Sequence, residues 1–174
     1  MVDNLVGTDL IPEFMAANLE RQRKYFLLGG AKGVAEGAAE RLRNEYPGIC
    51  IVGCHTGFLE DGESDRVVEM VNSSNADMLL VAMGNPLQER WISEQCAALR
   101  VPISVGVGGL FDHWAGNLRR APLWVRRLGI EWAQILLQQP GRKWRRYLLG
   151  NPKFILRSLR SRSADLAAAG ARER

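Results

Sequence analysis

Cysteine is scarce and badly arranged for cross-linking: Cys50, Cys54 and Cys96 are the only three. Their number is odd, no Cys-x-x-Cys pair occurs and no histidine pair stands nearby, so neither a disulfide framework nor a zinc site is indicated. They read as buried thiols in a reducing compartment. Long apolar runs are missing too, since none approaches the roughly 20 residues that a membrane-crossing helix needs. Asp3 and Asp9 near the first residue do not fit a secretory signal, and the expected compartment is the cytoplasm. The remaining composition is ordinary. With 174 residues, 47% apolar and 24% charged, the chain can bury one true core and does not resemble a disordered segment.

The charge, in contrast, is segregated. Residues 1–118 carry nine Lys or Arg against 16 Asp or Glu, a net of −7, whereas residues 119–162 carry twelve basic residues against Glu131 alone, a net of +11. An acidic body keeps itself soluble, while a cationic end seeks phosphates, whether of lipid, nucleotide or nucleic acid.

Short apolar runs alternate with stretches of helical period. A first helix is expected from Thr8 as its N-cap, with Leu10, Phe14, Ala17 and Leu19 on its buried face. Strands are expected over 25–28, 49–53, 78–83 and 102–107, and helices over 34–46, 65–71 and 87–99. This alternation predicts an α/β fold, a Rossmann-like, mainly parallel sheet with helices on both faces. Past Gly109 no strand-like run recurs. Tryptophans and arginines interleave there, and two or three amphipathic helices are expected, with breaks near Pro140 and Pro152. The expected division is therefore residues 1–117 as an α/β domain and 118–174 as a basic helical appendage.

In parallel sheets, ligands bind outside the carboxyl ends of the strands, where helix N-termini expose amides. Four such ends matter. Gly29 and Gly30, in Gly29-Gly30-Ala31-Lys32-Gly33, would let backbone amides approach a phosphate, or else serve a tight turn. Cys54 and His55 stand where a dinucleotide fingerprint would need an acid. His55 is either a base or substrate contact or a plain loop histidine, and no orienting partner for it is evident. Gly84-Asn85-Pro86-Leu87-Gln88-Glu89-Arg90-Trp91 is the densest constellation. Pro86 suits a first helical turn, and Gln88 and Glu89 would face whatever lies above the sheet, although Glu89 could equally complement the helix dipole. Gln88, Glu89 and Trp91 within one turn favour a functional reading. Asp112, after the Gly106-Val107-Gly108-Gly109 turn, would hold ribose or sugar hydroxyls, or cap the next helix.

At these motifs the sequence becomes familiar. Gly84-Asn85-Pro86-Leu87-Gln88-Glu89-Arg90-Trp91, Gly106-Val107-Gly108-Gly109-Leu110-Phe111-Asp112 with Ala115-Gly116, Arg120-Ala121-Pro122-Leu123-Trp124, Gly129-Ile130-Glu131-Trp132 and Pro140-Gly141-Arg142-Lys143-Trp144-Arg145-Arg146-Tyr147 resemble, in that order, the motifs of the WecG/TagA/CpsF glycosyltransferases. The resemblance runs from Gly7-Thr8-Asp9-Leu10 to Tyr147. It implies an inverting transferase that needs neither metal nor cofactor. Such an enzyme moves a sugar from a UDP-sugar to a polyprenyl-diphosphate-linked acceptor on the inner face of the cytoplasmic membrane, in teichoic acid or other cell-surface polysaccharide synthesis.

By the same resemblance Gln88 is the sugar or active-site contact, with Asn85 and Glu89 beside it. Asp112 and Gly108 serve the nucleotide, with Gly29 and Gly30. Arg142, Arg145 and Arg146 belong to a basic appendage that folds over the donor diphosphate and associates with an anionic membrane surface. Lys153, Arg157 and Arg160 form a stripe suited to an interfacial helix. The family's Thr-x-Asn motif and its Asp-Gly pair, the latter holding the general base, are expected upstream of Met1. Asp61-Gly62 lies in a different place and is no substitute, and Asn4 stands where an arginine is expected. Two other readings stay open, a catalytically incomplete UDP-sugar-binding remnant and, less favoured, a basic nucleic-acid-binding module. Donor sugar and any homo-oligomer are left open.

Overall fold

The computed structural model describes residues 7–118, together with residues 122, 125, 137 and 138. Of the helices expected past Gly109, one short helix, Leu110–Trp114, is described, while Arg142, Arg145, Arg146 and the Lys153, Arg157, Arg160 stripe lie outside the described residues. The chain divides into two units, Met1–Arg119 and Arg120–Arg174. The first is an alternation of helix and strand: α1 (Gly7–Ala17), β1 (Lys24–Gly29), α2 (Val34–Glu45), β2 (Cys50–His55), α3 (Glu63–Ser73), β3 (Met78–Ala82), α4 (Leu87–Gln95), β4 (Ile103–Gly106) and α5 (Leu110–Trp114).

All four strands pair in parallel, in the order β2-β1-β3-β4. Composition explains which strands lie inside. Tyr25, Phe26, Leu27 and Leu28 of β1 and Met78, Leu79, Leu80, Val81 and Ala82 of β3 are apolar at every position and buried, as a strand covered on both faces must be. The flanking β2 and β4, which contain Gly53, Cys54 and Ser104, are mostly half-buried or exposed. Alternate β1 and β3 side chains feed two cores. Tyr25, Leu27, Met78, Leu80 and Ala82 pack with α1, α2 and α5. Phe26, Leu28, Leu79 and Val81 pack with α3 and α4. Helices on both faces of a parallel sheet make the α/β Rossmann-like expectation correct.

Two local expectations are overturned. Thr8 is helical within α1 (Gly7–Ala17), so it lies inside the helix rather than capping it. Its inward residues are Ile11 and Met15, 5% and 0% exposed, whereas Leu10 and Phe14 are 45% and 36% exposed. Ile11 and Met15 are four residues apart and share one helical side; the larger Leu10 and Phe14 suggested the wrong phase. The fourth helix stops at Gln95 instead of running to residue 99. Asn72 of α3 competes for that backbone, its amide donating to the Ala98 carbonyl at 3.0 Å and its oxygen accepting from the Arg100 amide at 2.7 Å.

Candidate functional site

The strand order reverses between β1 and β3, because β2 lies on one side of β1 while β3 and β4 lie on the other. At such a switch point the loops leaving adjacent strand ends diverge and open a crevice at the carboxyl edge. The sequence-predicted residues Gly29, Gly30, His55, Asn85, Gln88, Glu89, Gly108 and Asp112 all lie at or just beyond carboxyl strand ends. They fall into two groups built in different ways.

At the end of β1 the backbone itself does the joining, to β3 on one side and to the loop after β2 on the other. The Gly30 amide donates to the Ala82 carbonyl at 2.9 Å, and the Gly30 carbonyl accepts the Gly57 amide at 2.9 Å and the Thr56 hydroxyl at 3.1 Å. Glycine is demanded by closeness. A Cβ on Gly29 would stand 2.5 Å from the Ala82 Cβ, and one on Gly57 would stand 2.8 Å from the Gly29 Cα. The polar groups of Gly30 are committed to neighbouring chain, so the tight-turn reading accounts for both glycines without a ligand.

His55 is the last residue of β2, not a loop residue, and it does have a partner. Its Nε2 lies 3.6 Å from the Glu63 carboxylate and its Nδ1 lies 2.9 Å from the Thr56 carbonyl. Contrary to the expectation from sequence, Glu63 and the Thr56 carbonyl orient the His55 ring. Glu63 also accepts the Glu60 amide at 2.9 Å, which steadies the loop before α3. Sequence reasoning missed Glu63 because the pairing spans a loop whose path no local pattern encodes.

On the β3–β4 side a side chain does the joining. Gln88, in the first turn of α4, is 4% exposed, and it is the one buried polar or charged side chain among the described residues. Its Oε1 accepts the Gly108 amide at 2.9 Å, and its Nε2 donates to the Glu89 carboxylate at 2.8 Å. Both ends of the carboxamide thus have partners, as a buried amide requires. Space for it comes from Gly106, where an added Cβ would lie 2.6 Å from Nε2. Gly106 was read in sequence only as part of a glycine-rich turn.

Glu89 is exposed, yet its carboxylate is tethered. Hydrogen bonds from Gln88 first, then from its own backbone amide and from the Asn85 side chain, hold its carboxyl below the ordinary value. Pro86 sits at the N-cap of α4 rather than within its first turn. Trp91 departs from its neighbours. It is 7% exposed in the α3–α4 core, and its indole N–H donates to the Ser64 hydroxyl at 3.1 Å, so it braces α4 against α3 instead of facing the crevice. Asp112 is half-buried within the first turn of α5, whose N-cap is Gly109, so the N-cap reading for Asp112 is corrected. Among the described residues no three His, Cys, Asp or Glu side chains gather as metal ligands would.

A parallel sheet with helices on both faces and a strand-order reversal between β1 and β3 defines an open α/β domain of the Rossmann-like class. The chain belongs to the glycosyl transferase WecG/TagA/CpsF family, whose profile matches residues 1–167. It is 35% identical over 156 residues to an N-acetylglucosaminyldiphosphoundecaprenol N-acetyl-beta-D-mannosaminyltransferase of Bacillus subtilis, across 90% of this chain and 59% of the relative. A protein of the same name from Bacillus spizizenii is 34% identical over 161 residues, across 92% of this chain and 61% of that relative. The chain therefore spans about three-fifths of the length of these curated relatives.

Proposed function

We propose that this chain is an inverting glycosyltransferase that moves a sugar, of the N-acetylmannosamine type, from a UDP donor to a polyprenyl-diphosphate-linked acceptor. The observation that carries the reading is the family match across residues 1–167, joined to relatives named for that transfer. Parallel-sheet topology favours the carboxyl strand ends near the β1–β3 reversal for the donor, and Asn85, Gln88, Glu89, Gly108 and Asp112 at the adjoining ends of β3 and β4 support that reading.

In the reaction an acceptor hydroxyl oxygen attacks the anomeric carbon from the side opposite UDP. The bond from that carbon to the diphosphate oxygen breaks, UDP leaves with its electron pair, and the hydroxyl proton passes to a general base. Attack and departure in line require the two substrates to be held in register. Charge building on the departing diphosphate calls for cations, and bidentate arginines at 142, 145 and 146 suit that task without a metal. The remaining basic residues of 119–162 favour an anionic membrane surface, at about 1 kcal/mol per residue. Because the acceptor is lipid-linked, such anchoring brings enzyme to substrate at the inner face of the cytoplasmic membrane. Among the described residues no helix is long and apolar enough to cross a membrane.

The test is direct. The chain is incubated with UDP-N-acetylmannosamine and polyprenyl-diphosphate-linked N-acetylglucosamine, with and without chelator. Because the general base is expected upstream of Met1, addition of one sugar with release of UDP, unchanged by chelator, is expected once the upstream segment with the Asp-Gly pair is joined to these residues, which by themselves are expected to bind UDP. UDP binding without transfer by the joined chain would leave a donor-binding remnant in place of an enzyme. Salt-sensitive retention on DNA with no thermal shift by UDP would favour the nucleic-acid module.

A further inference from the structure

We propose that Glu89 is the group at the β3–β4 edge that receives the donor sugar, and that Gln88 is a positioning residue acting through it. The inference rests on the transferase reading above and assigns roles within that site. Gln88 is 4% exposed, and its Oε1 and Nε2 are engaged by the Gly108 amide and the Glu89 carboxylate. Glu89, by contrast, is exposed. A carboxylate accepts several hydrogen bonds at once, so it can hold sugar hydroxyls while keeping the one from Gln88.

An exposed glutamate ordinarily wanders among rotamers, whereas here several features converge to orient it. Gly106 leaves room for the Gln88 amide, the Gly108 amide fixes that amide's oxygen, and the Gln88 Nε2 holds the Glu89 carboxylate at 2.8 Å. A carboxylate serving only to complement the α4 dipole needs neither Gly106 nor a tie to the β4 loop. The linkage costs the chain a buried polar group, and it is explained if the crevice needs the carboxylate held in one direction before ligand arrives.

The experiment compares the affinities of the full chain for UDP and for UDP-N-acetylmannosamine by calorimetry, in wild type, Glu89→Gln, Gln88→Met and the double variant. Loss of a hydrogen bond to a charged group predicts that Glu89→Gln weakens the UDP-sugar by about tenfold or more while leaving UDP within twofold. Gln88→Met should lower the same sugar-to-UDP ratio in the wild-type background and add nothing in the Glu89→Gln background, the mark of one residue acting through another.

An unchanged ratio in Glu89→Gln overturns the proposal, even if Gln88 variants fail to fold, because Glu89 is exposed and its substitution is isosteric. An equal further loss from Gln88→Met in the double variant also overturns it, since Gln88 would then touch the sugar itself. If wild type binds neither compound, the transferase reading fails and this inference with it. If it binds both while the ratio ignores Glu89, the inference fails alone.

Discussion

The two sides of the crevice show two ways to hold a strand-end loop. At the end of β1 the chain packs backbone on backbone, with Gly57 against Gly29, Gly29 against Ala82 of β3, and Gly30 hydrogen-bonded on both of its polar groups. Between β3 and β4 a single buried carboxamide ties a helix start to the Gly108 turn. The first arrangement leaves no room for a side chain at Gly29 or Gly57. The second depends on one particular side chain and passes its hydrogen bonding on to an exposed carboxylate. Close backbone contact therefore dominates one strand-end region and a buried side-chain amide the other.

Substitutions can break this contrast in order of expected effect. Gly29→Ala should do the most damage, because the new Cβ meets the Ala82 Cβ and backbone within 2.6 Å and backbone has little room to yield. A loss of about 3 kcal/mol in chemical denaturation is expected, at the upper end for overpacking. A loss well below about 1 kcal/mol would mean that the strand ends are not in close contact.

Gln88→Met should cost less, about 1–3 kcal/mol, through the Gly108 amide left without its acceptor. Urea midpoints with unchanged slope would show it, and a neutral result would remove the carboxamide as the tie between α4 and β4.

Smaller still is the His55–Glu63 pair, whose side chains are 18% and 24% exposed at 3.6 Å. A double-mutant cycle on His55→Ala and Glu63→Ala should return a coupling of about 1 kcal/mol or less. A larger value would give the β2 side a polar device comparable to Gln88 and erase the contrast drawn here.

Least disruptive is a pH measurement. Burial first, and then the nearby Glu36 carboxylate, push the Cys54 thiol from 9.0 up to about 11. The unfolded chain ionises first, so this contribution to stability is whole below pH 9.0 and is lost as pH rises towards 11. Alkylation of the folded protein near neutral pH should accordingly reach the exposed Cys96 before Cys54, as peptide mapping would reveal. Faster labelling of Cys54 would mean that this end of β2 opens.

The sequence alone was enough for the architecture and the family. Continuous apolar runs such as Leu79-Leu80-Val81 mark strands covered on both faces, and their alternation with helical stretches forces a parallel sheet. Motif order from Gly84 to Tyr147 was enough to recognise the glycosyltransferase resemblance. Local pattern also placed Asn85, Gln88, Glu89 and Asp112 at strand ends, because a strand followed closely by a helix sets where its loop lies.

What only tertiary structure decided was the division of labour among those residues. Trp91 and Gln88 are three apart on one short helix, yet one braces α3 while the other reaches the β4 loop. Glu63 lies eight positions beyond His55 across an irregular loop, and Gly106 is 18 residues beyond Gln88. Ile11 and Met15, rather than Leu10 and Phe14, point inward because helix phase is set by what the helix packs on. Periodicity and motif are local properties of a chain; hydrogen bonds and close approaches between loops exist only once the sheet has ordered its strands.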